Sequence, residues 1–318
     1  MNNADDGTLG QQVTDLLDVD GYARRLTRFM AHSRSRSGKG PGAQAGDARR
    51  RPVMHKSLRI AAVATACAVA GAALYGAGAA TAGQSTANST HEPYNIGLLV
   101  KDIDSYYGTT ADANGVYQAS ADSPYAKDLA RLDASARKYI DQAARTARHK
   151  GEKPAVVFDI DDTLLLSLDY EKRNNYTYNS ATWAAYVNKA DRPAVFGSPE
   201  LVRYAEKKGV EVFYNSGLSE AQRSAAVENL KKVGAEVNLD ADHMFLKNTA
   251  NPPSYLSGCA TPGAWTCTTV QYKSGTRRHI EKDLGYEIIA NFGDQYSDLE
   301  GGYADRTYKL PNPTYFVG

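Results

Sequence analysis

A chain of 318 residues, 42% hydrophobic and 23% charged, has the length and composition of a globular protein with one large domain or two small ones. Its 37 Lys+Arg against 36 Asp+Glu leave a formal charge of +1, which excludes any chain-wide electrostatic case for nucleic acid or an acidic polymer as partner. Three cysteines are too few for a disulfide framework or a zinc cluster.

In chain order, residues 31–52 are rich in Ser, Arg, Gly and Ala without a hydrophobic period, which predicts disorder. From Met54 the sequence runs through basic His55-Lys56 and Arg59 into an Ala/Val-rich stretch that ends at Ala80-Thr81-Ala82. Basic start, apolar middle and small-x-small end predict a signal peptide over residues 54–82, cleaved after Ala82, and hence a secreted or extracytoplasmic product. Residues 1–53 are then an extension upstream of the working start, Met54. If translation begins at Met1, Arg49-Arg50-Arg51 precede an internal signal-anchor and face the cytoplasm, and this segment is the chain's one expected membrane contact. Its small residues make a permanent span the weaker reading. A polar linker over residues 83–93 leads to a domain over residues 94–318.

Ser123-Pro124 supplies a helix cap and a first-turn proline, and Leu129, Leu132, Ala136, Tyr139, Ile140, Ala143 and Ala147 then recur at helical spacing up to Gly151. The same grammar predicts helices from Ser198-Pro199 to Gly209 and from Ser219 to Gly234. Another is expected after Lys273, with Ile280 and Leu284 as its apolar residues and Gly285 at its end. Between the helices lie short apolar runs at 155–158, 210–214, 244–246 and 286–290, which read as strands covered on both faces. Alternating strands and helices predict an α/β fold with a doubly wound parallel sheet, whose ligands bind beyond the carboxyl ends of the strands. The insertion at about 167–197 carries Tyr170, Tyr176, Tyr178, Trp183, Tyr186 and Phe196. These rings either stack on a leaving group or form the insertion's own core. Cys259 and Cys267 bracket a turn-rich segment and are either paired or two unpaired thiols.

Chemistry concentrates at the strand ends. Asp159-Ile160-Asp161-Asp162-Thr163 follows the first strand directly, and three carboxylates so close repel one another unless a cation or a shared proton compensates. An EF-hand is excluded, because the Gly and Glu that its loop requires are missing. After the second strand, Asn215-Ser216-Gly217 offers a hydroxyl and backbone N–H groups to an anion. Lys273 stands ahead of its helix, where its charge opposes the helix dipole. The last strand runs into Gly293-Asp294-Gln295-Tyr296-Ser297-Asp298, and hard oxygen ligands in this number suit Mg²⁺. The six histidines show no ligand spacing.

This order of motifs resembles the haloacid-dehalogenase superfamily. The tail, Gly293 to Leu299 followed by Lys309-Leu310-Pro311-Asn312-Pro313, together with Tyr272-Lys273-Ser274, is similar to the secreted acid phosphatases of the class B-like group and to plant vegetative storage proteins. The resemblance implies a Rossmann-like core with a small helical cap inserted after the first strand. It also implies a Mg²⁺-dependent phosphomonoesterase acting on small molecules, with Asp159 as nucleophile and metal ligand. Asp161 becomes the general acid and base, its main-chain carbonyl on the metal; Ser216, Gly217 and Lys273 hold the phosphoryl group; Asp294 completes the metal site; Asp298 supports Lys273 or a metal-bound water, and Thr163 is a further supporting residue. An acid two residues after the nucleophile suits an alkoxide leaving group and not a halide. Related enzymes often carry Arg shortly after the second-motif Ser-Gly, and Leu218 stands there, which bears on substrate preference. A non-catalytic storage or binding protein on the same fold and a phosphotransferase are the alternatives.

Overall fold

The computed structural model describes residues 93–318. The predicted extension, the signal segment and nearly all of the linker lie outside the described residues.

The first element, α1 (Ile96–Tyr107), has no counterpart among the predicted helices. Asn95 caps it by accepting from the N–H groups of Gly97 and Leu98, and it buries little besides Ile103 and Tyr107, too sparse a stripe to stand out as a period. A hairpin of β1 (Thr110–Ala111) and β2 (Tyr117–Gln118) follows. The long helix α2 (Pro124–His149) starts where predicted, with Ser123 Oγ accepting from Ala126 N–H at 3.1 Å. It buries Leu129, Ala136, Ile140 and Ala147 against the sheet, the larger side chains contributing about 1.5–3 kcal/mol each.

β3 (Lys153–Phe158) is the central strand. Residues 167–197 carry two short helices, α3 (Leu168–Arg173) and α4 (Ser180–Val187). In α5 (Ser198–Lys207) the cap is Gly197 at φ 77°, not Ser198, which is buried inside the first turn. β4 (Glu211–Ser219) runs five residues past its apolar stretch, so Asn215, Ser216 and Gly217 lie within the strand and not in a turn after it. Ser219 and Gln222 form a capping box that opens a 3₁₀ turn and then α6 (Arg223–Lys232). Beyond β5 (Met244–Lys247), a hairpin of β6 (Ala260–Thr261) and β7 (Ala264–Trp265) is closed by a Cys259–Cys267 disulfide.

The helix expected after Lys273 is α7 (Thr269–Lys282), and Lys273 lies inside it. Its start is a Thr268/Gln271 capping box, and Leu284 falls beyond its end at 37% exposure. β8 (Tyr286–Gly293), the one-turn α8 (Tyr296–Leu299) and the unpredicted β9 (Thr307–Lys309) complete the described chain.

The main sheet is parallel throughout, in the order β5-β4-β3-β8-β9. Both faces are covered: Val156, Phe158, Val212 and Phe292 join the core that includes Leu129, Ile140 and Val202, while Ala155, Val157, Phe213 and Ile288 pack with Ile280 of α7. That two-sided burial is the reason the strands read as continuous apolar runs. The order reverses about β3, so the carboxyl ends of β3, β4 and β8 open on one edge at the topological switch point.

Candidate active site

Asp159 leaves β3 with its N–H still donating to Phe292 O at 2.9 Å, which fixes it beside the end of β8. The chain then turns sharply: Leu164 N–H donates to Ile160 O at 2.9 Å and Asp162 N–H to Leu165 O at 2.8 Å, with Asp162 at φ 52°. Asp162, third carboxylate of the motif, accepts from the N–H of Ser167 at 2.9 Å and from its hydroxyl, so it braces this loop from within. Thr163 is fully buried and its hydroxyl has no partner among the described residues.

At the end of β8, Asp294 accepts from Gln295 Nε2 and Asn312 Nδ2, both at 2.7 Å. Asp298 turns back over Gly293, and its Oδ2 accepts from Gln295 N–H at 3.0 Å. A Cβ at position 293 would lie 2.4 Å from Asp298 Cβ, so only glycine admits this return. The loop carrying Asp298 is anchored by buried Arg277 of α7, whose guanidinium donates to the carbonyls of Gly302, Asp298 and Glu300.

Lys273 gathers three strand ends. Its ammonium donates to the carboxylate of Asp159 and the carbonyl of Asn215, and it pairs with Asp298 Oδ1 at 3.0 Å. Position inside α7 places its side chain over the sheet edge, and Asn215 Nδ2 locks the helix there by donating to Lys273 O at 2.9 Å. On β4, pairing with β5 is interrupted between Asn215 and Ser219, which frees residues 216–218 from the ladder. Ser216 is buried, its Oγ accepting from Leu218 N–H at 3.2 Å and its carbonyl from Tyr272 OH at 3.1 Å. Gly217 is exposed, with open space where a side chain would stand. Leu218 is buried and contributes to the core.

Asp159, Asp294 and Asp298 each bring an oxygen within 4.8 Å of the others, all three buried. Against them stands one ammonium, so the fully ionised cluster keeps two negative charges uncompensated. Burial holds the Asp159 carboxyl well above the usual carboxylate range, Lys273 opposing and Asp298, Asp294 and Asp161 adding to the rise. Asp294 is pushed up to about 8 by burial and by Asp298 and Asp162, against the hydrogen bonds from Asn312 and Gln295. Desolvation disfavours the Lys273 cation, but Asp159 and Asp298 outweigh it and hold its pKa above the ordinary lysine value. Three hard, buried oxygen donors in charge excess fit a divalent cation of the Mg²⁺ kind. Asp161, expected to offer the metal its main-chain carbonyl, keeps its carboxylate out of this cluster: Oδ1 accepts from Arg192 Nη1 at 2.6 Å.

The structure thus brings together Asp159, Asp294, Asp298 and Lys273, with Ser216 on the adjoining strand. Sequence reasoning missed Arg192 and Arg277; Gln295 and Asn312 stood in the Gly293–Asp298 and Lys309–Pro313 runs, though without a role. Of the insertion's aromatics, Tyr170 packs against Trp183 and Tyr186 at ring separations of 4.9 and 5.3 Å, forming a core of their own. Tyr178 stays 70% exposed.

Residues 109–318 match the family described as HAD superfamily, subfamily IIIB (acid phosphatase). The chain is 33% identical to a stem 28 kDa glycoprotein of Glycine max over 173 residues, 52% of this chain and 61% of that protein. It is 33% identical to acid phosphatase 1 of Solanum lycopersicum over 165 residues, 51% of this chain and 58% of that one. Vegetative storage protein 1 of Arabidopsis thaliana is 34% identical over 165 residues, 51% of this chain and 54% of its own length. The matched region therefore spans less than two thirds of each of these relatives. Among solved structures, the class C acid phosphatase from Bacillus anthracis aligns at 23% identity with a TM-score of 0.44, covering 58% of this chain and 78% of that one.

Proposed function

The chain belongs to subfamily IIIB of the HAD superfamily, the acid phosphatases, and from that premise we propose that it is a Mg²⁺-dependent phosphomonoesterase that works through an aspartyl phosphate on Asp159. One observation carries the reading: the buried Lys273 ammonium is bonded at once to Asp159, Asp298 and the Asn215 carbonyl beside Ser216. A buried cation held between a nucleophile-type carboxylate and an anion-binding strand end is the arrangement that phosphoryl transfer asks for.

In the first displacement a carboxylate oxygen of Asp159 attacks phosphorus while the ester P–O bond breaks, and Asp161 gives its proton to the departing alkoxide. In the second, water attacks the phosphorus of the aspartyl phosphate, Asp161 takes the water's proton, and inorganic phosphate leaves with Asp159 restored. Lys273 offsets charge on the transferring oxygens, and the Ser216 hydroxyl and the backbone at Gly217, free of the β4 ladder, supply neutral donors. Asp159 and Asp294, with the main-chain carbonyl of Asp161 and the buried Asp298 beside them, would hold the cation, whose chemistry would be to neutralise the phosphoryl oxygens and orient them.

The test is hydrolysis of a chromogenic aryl phosphate with Mg²⁺ and with chelator, comparing the parent with Asp159→Asn. Turnover that needs Mg²⁺ and falls at least about 10³-fold in the variant is expected; turnover surviving the substitution overturns the mechanism. A parent inert across several phosphomonoesters and pH values would favour the storage reading, which the names of the plant relatives motivate. Competing alcohols distinguish a phosphotransferase, which would form new esters. Export directed by residues 54–82 is part of the proposal. The Cys259–Cys267 disulfide supports it, because such bonds persist in oxidising compartments, and N-terminal sequencing of the secreted product tests it.

A further inference from the structure

The proposed function makes Asp161 a proton donor, and the fold sets a buried cation against it. Arg192 lies in the stretch between α4 and α5, with a side chain 0% exposed. Asn229 of α6 clamps its backbone: Arg192 N–H donates to Asn229 Oδ1 at 3.0 Å, and Asn229 Nδ2 donates to Arg192 O at 2.8 Å. The guanidinium lies 5.5 Å from the ring centroid of Trp183 in α4. Its Nη1 donates to Asp161 Oδ1, and among the described residues nothing else hydrogen-bonds the Asp161 side chain.

Stability does not account for this arrangement. Arg192 Nε and Nη2 are buried without partners, and each orphaned donor costs about 1–3 kcal/mol. A buried ion pair replaced by well-packed apolar side chains is often neutral or better. What the arrangement does accomplish is geometric. The Asp161 side chain is 19% exposed and lies within the sharp turn after β3, so without a partner its carboxylate has rotamers to choose among. With Oδ1 held, Oδ2 is the oxygen left without a hydrogen-bond partner among the described residues.

We infer that Arg192 is a positioning residue for Asp161: it holds one carboxylate oxygen so that the other meets the leaving-group oxygen, and it ties that alignment to the insertion through Trp183. The inference rests on the proposed function. The proton path is unchanged, from Asp161 to the departing alkoxide as the P–O bond breaks, so the effect of Arg192 depends on how badly the leaving group needs that proton. A nitrophenolate leaves with little help, whereas an alkoxide needs protonation.

The experiment uses the full chain with Mg²⁺ and compares kcat/KM, which reports the first displacement, for p-nitrophenyl phosphate and a simple alkyl phosphate. Arg192→Gln, Arg192→Lys, Asp161→Asn and the Arg192→Gln/Asp161→Asn pair are measured beside the parent. Arg192→Gln is expected to lower kcat/KM about 100-fold on the alkyl ester and only about threefold on the aryl ester, with Arg192→Lys between parent and Gln. In the Asp161→Asn background the same change is expected to cost less than about threefold, because the two act as one unit. Equal losses on both esters would make Arg192 a direct substrate contact and overturn the inference, as would full additivity with Asp161→Asn. If Arg192→Gln fails to fold, the alkyl-to-aryl ratio of Arg192→Lys decides: unchanged from the parent, it overturns the inference. A parent inert to both esters overturns the functional reading and this inference with it; a parent active on both isolates Arg192.

Discussion

Raising the pH from about 5 to about 8 in the presence of chelator is expected to destabilise the folded domain, and Mg²⁺ is expected to reverse most of that loss. Asp294 is buried beside Asp159 and Asp298, and its pKa stands at about 8. An unfolded-chain aspartate titrates near about 3.9, so between these values the folded protein holds a proton that the unfolded chain has released. Stability from this group is therefore complete below about pH 4, falls as the pH rises, and is lost above about pH 8. At 1.36 kcal/mol for each pH unit, the three units from about pH 5 to about pH 8 give a ceiling of about 4 kcal/mol. Relaxation and water entry raise the effective dielectric constant toward about 20, which leaves about 2–3 kcal/mol. For a domain of this size that is a fall in Tm of roughly 5–10 °C. On the proposed function Mg²⁺ takes over the neutralising task of the proton, so it is expected to stabilise strongly at about pH 8 and weakly at about pH 5. Thermal unfolding followed by circular dichroism, with chelator and with Mg²⁺, measures this in the parent and in Asp294→Asn. The variant should show a shallower slope but not a flat one, because Glu171, raised to about 7 by burial and by Asp162, acts in the same direction. A parent Tm that stays level or rises with pH in chelator, or a slope identical in Asp294→Asn, would refute the reasoning.

Arg277→Met strips three backbone carbonyls of their donor and is expected to cost about 3–5 kcal/mol in denaturant unfolding and to weaken Mg²⁺ binding by calorimetry; unaltered stability would show that water replaces the guanidinium. Gly293→Ala would drive a methyl group to within 2.4 Å of Asp298 Cβ, displacing that carboxylate. At least about a 100-fold loss of turnover is expected from a misplacement on the order of 1 Å, and near-parent kinetics would mean that Asp298 is not needed where it stands. Replacing Cys259 and Cys267 together by serine opens a loop of sequence separation 8 and is expected to cost about 2–3 kcal/mol, read from the urea midpoint. A change under about 1 kcal/mol would show that the hairpin is held by its packing on Tyr272 instead.

Much of this architecture was legible because the sheet is parallel and buried on both faces. Val156 and Phe158 face one core and Ala155 and Val157 the other, so the central strand shows as an unbroken apolar run. Parallel topology then forces whatever follows β3 and β8 to a common edge, and that is where Asp159 and Asp294 were sought and are found. β9 escaped notice because three residues at a sheet edge carry no period and exist through pairing with β8. Lys273 reads as standing ahead of a helix marked by Ile280 and Leu284, whereas the helix begins at Thr269 and includes it. Gly275 is accommodated within α7 because a Cβ there would come within 2.7 Å of Leu256 Cδ2, a packing demand that outweighs helix propensity.

The harder distinction lies within the site itself. Asp159, Asp161 and Asp162 are one residue type in one short motif, yet the first faces Lys273, the second Arg192 and the third the Ser167 of its own loop. Their local sequence contains no sign of that division, because each partner arrives from elsewhere: Lys273 lies 114 residues from Asp159, and Arg192 lies 31 from Asp161. Reacting groups must stand at strand ends, where topology marks them, but the charges that balance and aim them need only be near in space. Arg192 and Arg277 sit in a connecting stretch and mid-helix, where an arginine ordinarily reads as solvated surface, and burial alone reveals their task. Asp161 and the guanidinium that holds it are thus specified by independent segments, so on the proposed mechanism substitutions in the insertion are expected to change how the proton is delivered while the Asp159, Asp294 and Asp298 cluster remains intact.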